Sequence, residues 1–178
     1  LVCGGVKGCG ARDGFVYGGG LFIGEQVGGA ACFQPDKTVS RGEFVTMLVK
    51  ALDLKVDETA EFTGFTDDAP NWLKPYLAAA LRNGMTENWP DSQVFGAAAP
   101  ITGAEAALLV QNALDLTVTT MVGKDEESDI PSWAITAMTA MADNGLALTT
   151  GDLTRGQAAK LLYRASHIAA TAPGMNVY

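Results

Sequence analysis

The chain has 178 residues, 48% of them hydrophobic and 18% charged, with 12 Lys plus Arg against 20 Asp plus Glu. This composition can bury a core and is not that of a charge-rich disordered tail. The net charge of −8 repels phosphate backbones and the sequence holds no basic patch, so nucleic acid is not expected as a partner. No apolar run is long enough to span a membrane.

The N-terminal stretch is glycine-rich and carries all three cysteines, Cys3, Cys9 and Cys32. An odd count allows at most one disulfide. A Cys3–Cys9 or Cys9–Cys32 bridge would pin this stretch, and three inert thiols are the equal alternative. Zinc sites usually take four N or S ligands, and the single histidine, His167, is remote in sequence, so no metal is expected. Gly18-Gly19-Gly20 reads as a flexible turn, since the region lacks the Gly-Lys-Ser/Thr of a phosphate loop. A short, weak helix is expected at 13–17. The lack of Met and of a leader pattern at Leu1 reads as a processed or trimmed chain.

The next elements repeat. Val39-Ser40-Arg41-Gly42-Glu43-Phe44 is an aliphatic residue, a Ser/Thr, and Glu three positions later. This is a capping box with an aliphatic staple, and it predicts a helix over 41–53. A polar linker follows at 55–63. Phe65-Thr66-Asp67-Asp68-Ala69-Pro70-Asn71-Trp72 then leads into an Ala/Leu-rich helix predicted over 71–83, with Asp67 and Asp68 as N-caps and Asn83-Gly84 as the C-terminal stop. Ile101-Thr102-Gly103-Ala104-Glu105-Ala106 is a second capping box and opens a helix predicted over 103–115.

The second linker, 117–127, contains Asp125-Glu126-Glu127, read as solvated acids. Ser128-Asp129-Ile130-Pro131-Ser132-Trp133 then repeats the earlier lead, with Asp129 as a cap and a helix predicted over 132–144. Twelve residues separate Trp72 from Gly84, and twelve separate Trp133 from Gly145. Leu153-Thr154-Arg155-Gly156-Gln157-Ala158 is the third box, with a helix predicted over 155–169. The loop before it is short. Nine residues separate Gly145 from Thr154, against eighteen between Gly84 and Thr102. Residues 172–178 read as an extended tail.

The motifs Phe65-Thr66-Asp67…Trp72, Gly20-Leu21-Phe22-Ile23-Gly24, Phe33-Gln34-Pro35-Asp36 running into the first box, and Leu153-Thr154-Arg155-Gly156-Gln157-Ala158 together resemble the S-layer homology (SLH) family. The resemblance covers residues 20–168. It implies an all-α fold of three helix–loop–helix repeats in a pseudo-threefold arrangement around a central helical bundle. The repeats would be 20–54, 62–116 and 128–169, with 1–19 as the degenerate first half of repeat one and 170–178 as a tail. It implies an extracellular module at the bacterial cell surface that binds cell-wall polysaccharide, often pyruvylated, in grooves between repeats. The alternative is a structural subunit that assembles with copies of itself or with other surface-layer proteins. No cofactor and no enzymatic activity are implied, and no catalytic motif is present in the chain.

An Arg in a first helical turn beside backbone N–H groups suits a sugar carboxylate, and a Trp suits the apolar face of a sugar ring. The resemblance therefore assigns Arg41 and Arg155 as ligands, with Glu43 ordering the cap, and Trp72 and Trp133 as stacking platforms, with Trp89 a further candidate. The competing reading makes Trp72 and Trp133 core anchors and Glu43 a cap alone. The chain departs from the pattern where Gly103 replaces Arg, where Gln157 replaces Glu, and where the first repeat lacks its Trp.

Overall fold

The computed structural model describes residues 25–27, 30–120 and 129–171, with side chains from Phe33 onward. Cys3, Cys9, the Cys32 side chain, the helix expected at 13–17 and the tail at 172–178 lie outside the described residues. The fold is all-α. Among the described residues five helices carry it: α1 (Arg41–Ala51), α2 (Lys74–Arg82), α3 (Gly103–Leu114), α4 (Ile135–Asp143), which follows a 3-10 turn at Ser132–Ala134, and α5 (Arg155–Thr171). One short antiparallel pair was not foreseen, β1 (Glu25–Val27) against β2 (Ala30–Cys32). Three residues a side are too few for an alternating pattern to register in a sequence.

The predicted local chemistry accounts for most helix ends. Ser40 Oγ accepts from Glu43 N while Glu43 Oε2 accepts from Ser40 N. Thr102 with Glu105, and Thr154 with Gln157, make the same reciprocal pair. Each box satisfies two backbone donors that the first turn cannot. At the other end, Gly84 and Gly145 take φ of 69° and 73°, a left-handed conformation that costs a residue with a Cβ. The preceding Asn83 and Asn144 donate back to Ala79 O and Ala140 O, each at 2.8 Å.

The starts of α2 and α4 differ from expectation. Neither has a side-chain cap, and both α-helices begin three residues after the predicted position. Asp67, read as an N-cap, instead accepts from Phe95 N at 2.9 Å and Gly96 N at 2.8 Å. Thr66 N donates to Gln93 O at 2.7 Å. The Phe65-Thr66-Asp67 motif thus ties down the long loop that precedes α3. A partner 28 or 29 residues away is invisible to an argument built on helix-start spacing.

The three capped helices α1, α3 and α5 pack on one another at the centre, with α2 laid against α1 and α4 against α3. Of these, α3 is the most enclosed; Ala106, Ala107, Leu109 and Val110 have no exposed surface. The three staple residues close a ring of backbone bonds. Val39 N donates to Leu153 O (3.0 Å), Leu153 N to Ile101 O (2.9 Å), and Ile101 N to Val39 O (2.9 Å). Around it runs a second set, Arg41 N to Ala99 O, Gly103 N to Gly151 O and Arg155 N to Lys37 O. Each box therefore sits beside the segment that leads into the next box, in threefold fashion. All three staple side chains are buried at 1% exposure or less, so the ring's bonds lie in a dry environment where they are costly to break.

Candidate functional site

The two arginines singled out from the sequence occupy equivalent places in the ring. Arg41 forms a two-pronged pair with Glu105, Nε to Oε2 at 3.2 Å and Nη2 to Oε1 at 2.6 Å. Its Nη1 donates to Phe95 O at 3.1 Å, and its guanidinium lies 5.6 Å from the Trp89 ring centroid. Glu105 is 5% exposed, and its Oε2 also accepts from Thr102 N. One carboxylate thus completes a cap and neutralises a cation from the neighbouring box. Arg155 is 7% exposed, donates from Nε to Phe33 O at 2.7 Å, and lies over the Phe33 ring at 5.4 Å. Both arginines are thus engaged by the chain itself, and the Arg41 side chain keeps 24% of its surface exposed.

The absence of a third arginine has a steric cause. A Cβ on Gly103 would overlap the carbonyl oxygen of Thr149. The shortened loop before α5 draws that carbonyl across the start of α3, so only glycine fits. By the threefold pattern, position 103 faces the box of Thr154 and Gln157 just as Arg41 faces that of Thr102 and Glu105. The two departures noted in the sequence, Gly103 and Gln157, therefore stand at the places equivalent to Arg41 and Glu105, and this junction carries neither charge.

The tryptophans separate by environment. Trp89 is 8% exposed and stacks near Phe95 at 5.0 Å between centroids, so it belongs to the core. Trp72 and Trp133, expected on the bland reading to be core anchors, are 55% and 37% exposed. They stand just before or within the first turns of α2 and α4, where the helix has not yet turned its apolar stripe inward.

Trp133 opens onto a cleft of about 740 Å³ between the C-terminal end of α2, the outer face of α3 and the start of α4. Asn83, Gln111 and Asn112 contribute amides to its wall, and Glu87 and Asp115 contribute carboxylates. The size is that of an ordinary small-ligand cleft, about 300–1,000 Å³. No Lys or Arg lines it. Basic groups gather instead at a smaller cleft of about 230 Å³, where Lys160 and Arg164 stand beside Gln157, Thr149 and Leu148. Sequence reasoning reached Trp133 but not the rest of the wall, because those residues lie on three different helices and loops.

The helix C-termini also fasten the linkers. Arg82, last in α2, donates to Lys55 O at 2.8 Å. Asp143, last in α4, accepts from the backbone N–H and hydroxyl of both Thr119 and Thr120, at 2.7–3.0 Å. Those donors hold its carboxyl down to about 2, the backbone N–H of Thr119 contributing most and the Thr120 hydroxyl next.

No protein-family model matches the chain. It is similar to a cellulosome-anchoring protein of Acetivibrio thermocellus, 29% identical over 86 residues, 47% of this chain. It is also similar to the S-layer protein sap of Bacillus anthracis, 27% identical over 123 residues, 67% of this chain. A third similarity is to the surface-layer 125 kDa protein of Lysinibacillus sphaericus, 32% identical over 84 residues, 47% of this chain. The chain spans 19%, 15% and 7% of these curated relatives' lengths. The similarities place the chain outside the cell, at the bacterial cell surface. Among the described residues no helix is long and apolar enough to cross a membrane.

Proposed function

We propose that the chain is a non-covalent anchoring module of the SLH type, which attaches a larger protein to the cell surface by binding cell-wall polysaccharide in the groove between adjacent helix pairs. The observation that carries this reading is the open Trp133 on a polar cleft between α2, α3 and α4. An exposed tryptophan beside several amides offers a stacking face for a sugar ring and hydrogen-bonding groups for its edge. The similarity to an anchoring protein and to two surface-layer proteins supports the same reading. Trp72, exposed at the equivalent place just before α2, is the second stacking residue of the proposal. Arg41, Glu43 and Arg155 do not line the Trp133 cleft and, on this reading, hold the boxes in register.

The test is co-sedimentation with purified Gram-positive cell walls, intact and stripped of secondary polysaccharide. Binding to intact walls that is lost on stripping and weakened by Trp133→Ala is the expected outcome. A folded, soluble protein that binds no wall would sink the reading. The competing role, a subunit that assembles with copies of itself in a surface layer, is favoured by the names of two of the three relatives. An ordered polymer by electron microscopy together with no wall binding would establish it.

A further inference from the structure

Resting on the anchoring reading, we infer that the smaller cleft beside α5 is a second contact for the wall polymer, where Lys160 and Arg164 take an anionic group of it, a carboxylate or a phosphate.

This cleft of about 230 Å³ lies between α5 and the loop that follows α4. Leu146 and Leu161 are buried and Leu148 is half-buried, so its floor is apolar. Lys160 and Arg164 stand four positions apart on α5 and therefore share one side of the helix. No Asp or Glu lines the cleft, and none occurs in the 17 residues of α5. In a chain of net charge −8, a wall of this sign runs against the rest of the molecule. Neither cation has an ion pair among the described residues. Arg164 donates from Nη1 to Gly145 O at 2.9 Å. That acceptor is neutral, so the bond ties the guanidinium to the loop and leaves its charge uncancelled. The Lys160 ammonium has no partner among the described residues, and its three donors are open.

The neutral groups of the wall do not reverse this balance. Gln157 Oε1 accepts from Thr154 N at 2.9 Å, so what that amide has left over is chiefly its Nε2 donors. The Thr149 hydroxyl both donates and accepts. Ala147, Leu148 and Thr149 each add one backbone N–H and one carbonyl without a partner among the described residues, equal numbers of donors and acceptors. The surplus is donors and positive charge, and a carboxylate or phosphate answers both. The Trp133 cleft, with Glu87 and Asp115 and neither Lys nor Arg, is the opposite case.

The experiment is co-sedimentation with intact cell walls over a range of salt, for the wild type, Lys160→Gln, Arg164→Lys and Lys160→Gln/Arg164→Gln. Circular dichroism confirms that each variant folds. Lys160→Gln removes a charge that has no partner among the described residues, and Arg164→Lys keeps the charge while changing the donor geometry. Wild-type binding is expected to weaken as salt rises. The double variant is expected to bind about tenfold more weakly at low salt, with a flatter salt dependence, Lys160→Gln to fall between, and Arg164→Lys to stay near the wild type. Two further arms name the group. Capping the wall carboxylates as amides removes the wild type's advantage over the double variant if the group is a carboxylate. Competition by a soluble glycerol phosphate polymer removes it if the group is a phosphate.

A double variant that binds intact walls as the wild type does, with the same salt dependence, overturns the inference and leaves the anchoring reading standing. So does a weakened double variant whose deficit neither capping nor competition abolishes. Absence of wild-type binding to any wall overturns the two together.

Discussion

The junction between the first and second boxes and the junction between the second and third are built on the same backbone ring, yet they are held differently. At the first, Arg41 reaches a buried Glu105, covers Trp89 and donates to Phe95 O. At the second, Gly103 presses against the Thr149 carbonyl, and Gln157 stands where the carboxylate would be. The long loop before α3 leaves room for a charged side chain, and the short loop before α5 replaces it with backbone. One fold thus holds an ion pair at one junction and none at the equivalent place of the next.

The most severe way to break this comparison is to restore a side chain at the closed junction. Gly103→Ala is expected to destabilise the fold by about 3 kcal/mol, because the Thr149 backbone must move to admit a Cβ. Urea unfolding would read it, and a loss under 1 kcal/mol, about the lower end of overpacking costs, would mean that the loop yields easily.

Next comes the open junction. Glu105→Ala removes a cap and strands the Arg41 charge, whose side chain is 24% exposed, and is expected to cost about 2 kcal/mol. Replacing Arg41 and Glu105 together with Met is expected to recover part of that loss, since the desolvated charge goes too. A double variant less stable than Glu105→Ala would show that the pair does more than neutralise itself.

The linkers sharpen the contrast further. Asp143 and Arg82 end equivalent helices, and each fastens the linker that precedes its helix, by opposite chemistry. The folded carboxyl of Asp143 titrates at about 2, below its ordinary value of 3.8. A depressed folded value means the stabilisation is fully present above about pH 4 and is lost as pH falls from there toward 2. Asp143→Asn should therefore lower thermal stability at pH 7 and flatten its fall across that acid window. An unchanged acid limb would remove Asp143 from the account.

The smallest effect is expected at Gln157. Gln157→Glu restores a capping carboxylate at a helix N-terminus without an arginine to meet it, and should change stability by no more than about 0.5 kcal/mol. A change as large as that of Glu105→Ala would mean that the two junctions are not divided by their charges.

Much of the fold was legible because its signals are local. A capping box spans four residues, and an Asn-Gly stop needs only a left-handed glycine, so Ser40, Thr102, Thr154, Gly84 and Gly145 announced their helix ends without knowledge of what they pack against. The repeated spacing of boxes and stops marked the repeats, and their arrangement around a centre was what the resemblance to the SLH family implied. The candidate site was legible only in Trp133. Its amides and carboxylates come from α3 and from the turn after α2, and nothing in their spacing joins them.

By itself, then, the sequence determined the helices and most of their caps, since each depends on residues within a few positions of one another, while the threefold order was what the resemblance to the SLH family implied. Only the tertiary structure decided which charges cancel. Arg41 and Glu105 are 64 positions apart, Asp67 and Gly96 are 29 apart, and Gly103 has its reason in a carbonyl on another loop. Electrostatic neutralisation and steric exclusion act over ångströms in space. Their partners are set by how the loops return to the ring, which no local pattern encodes.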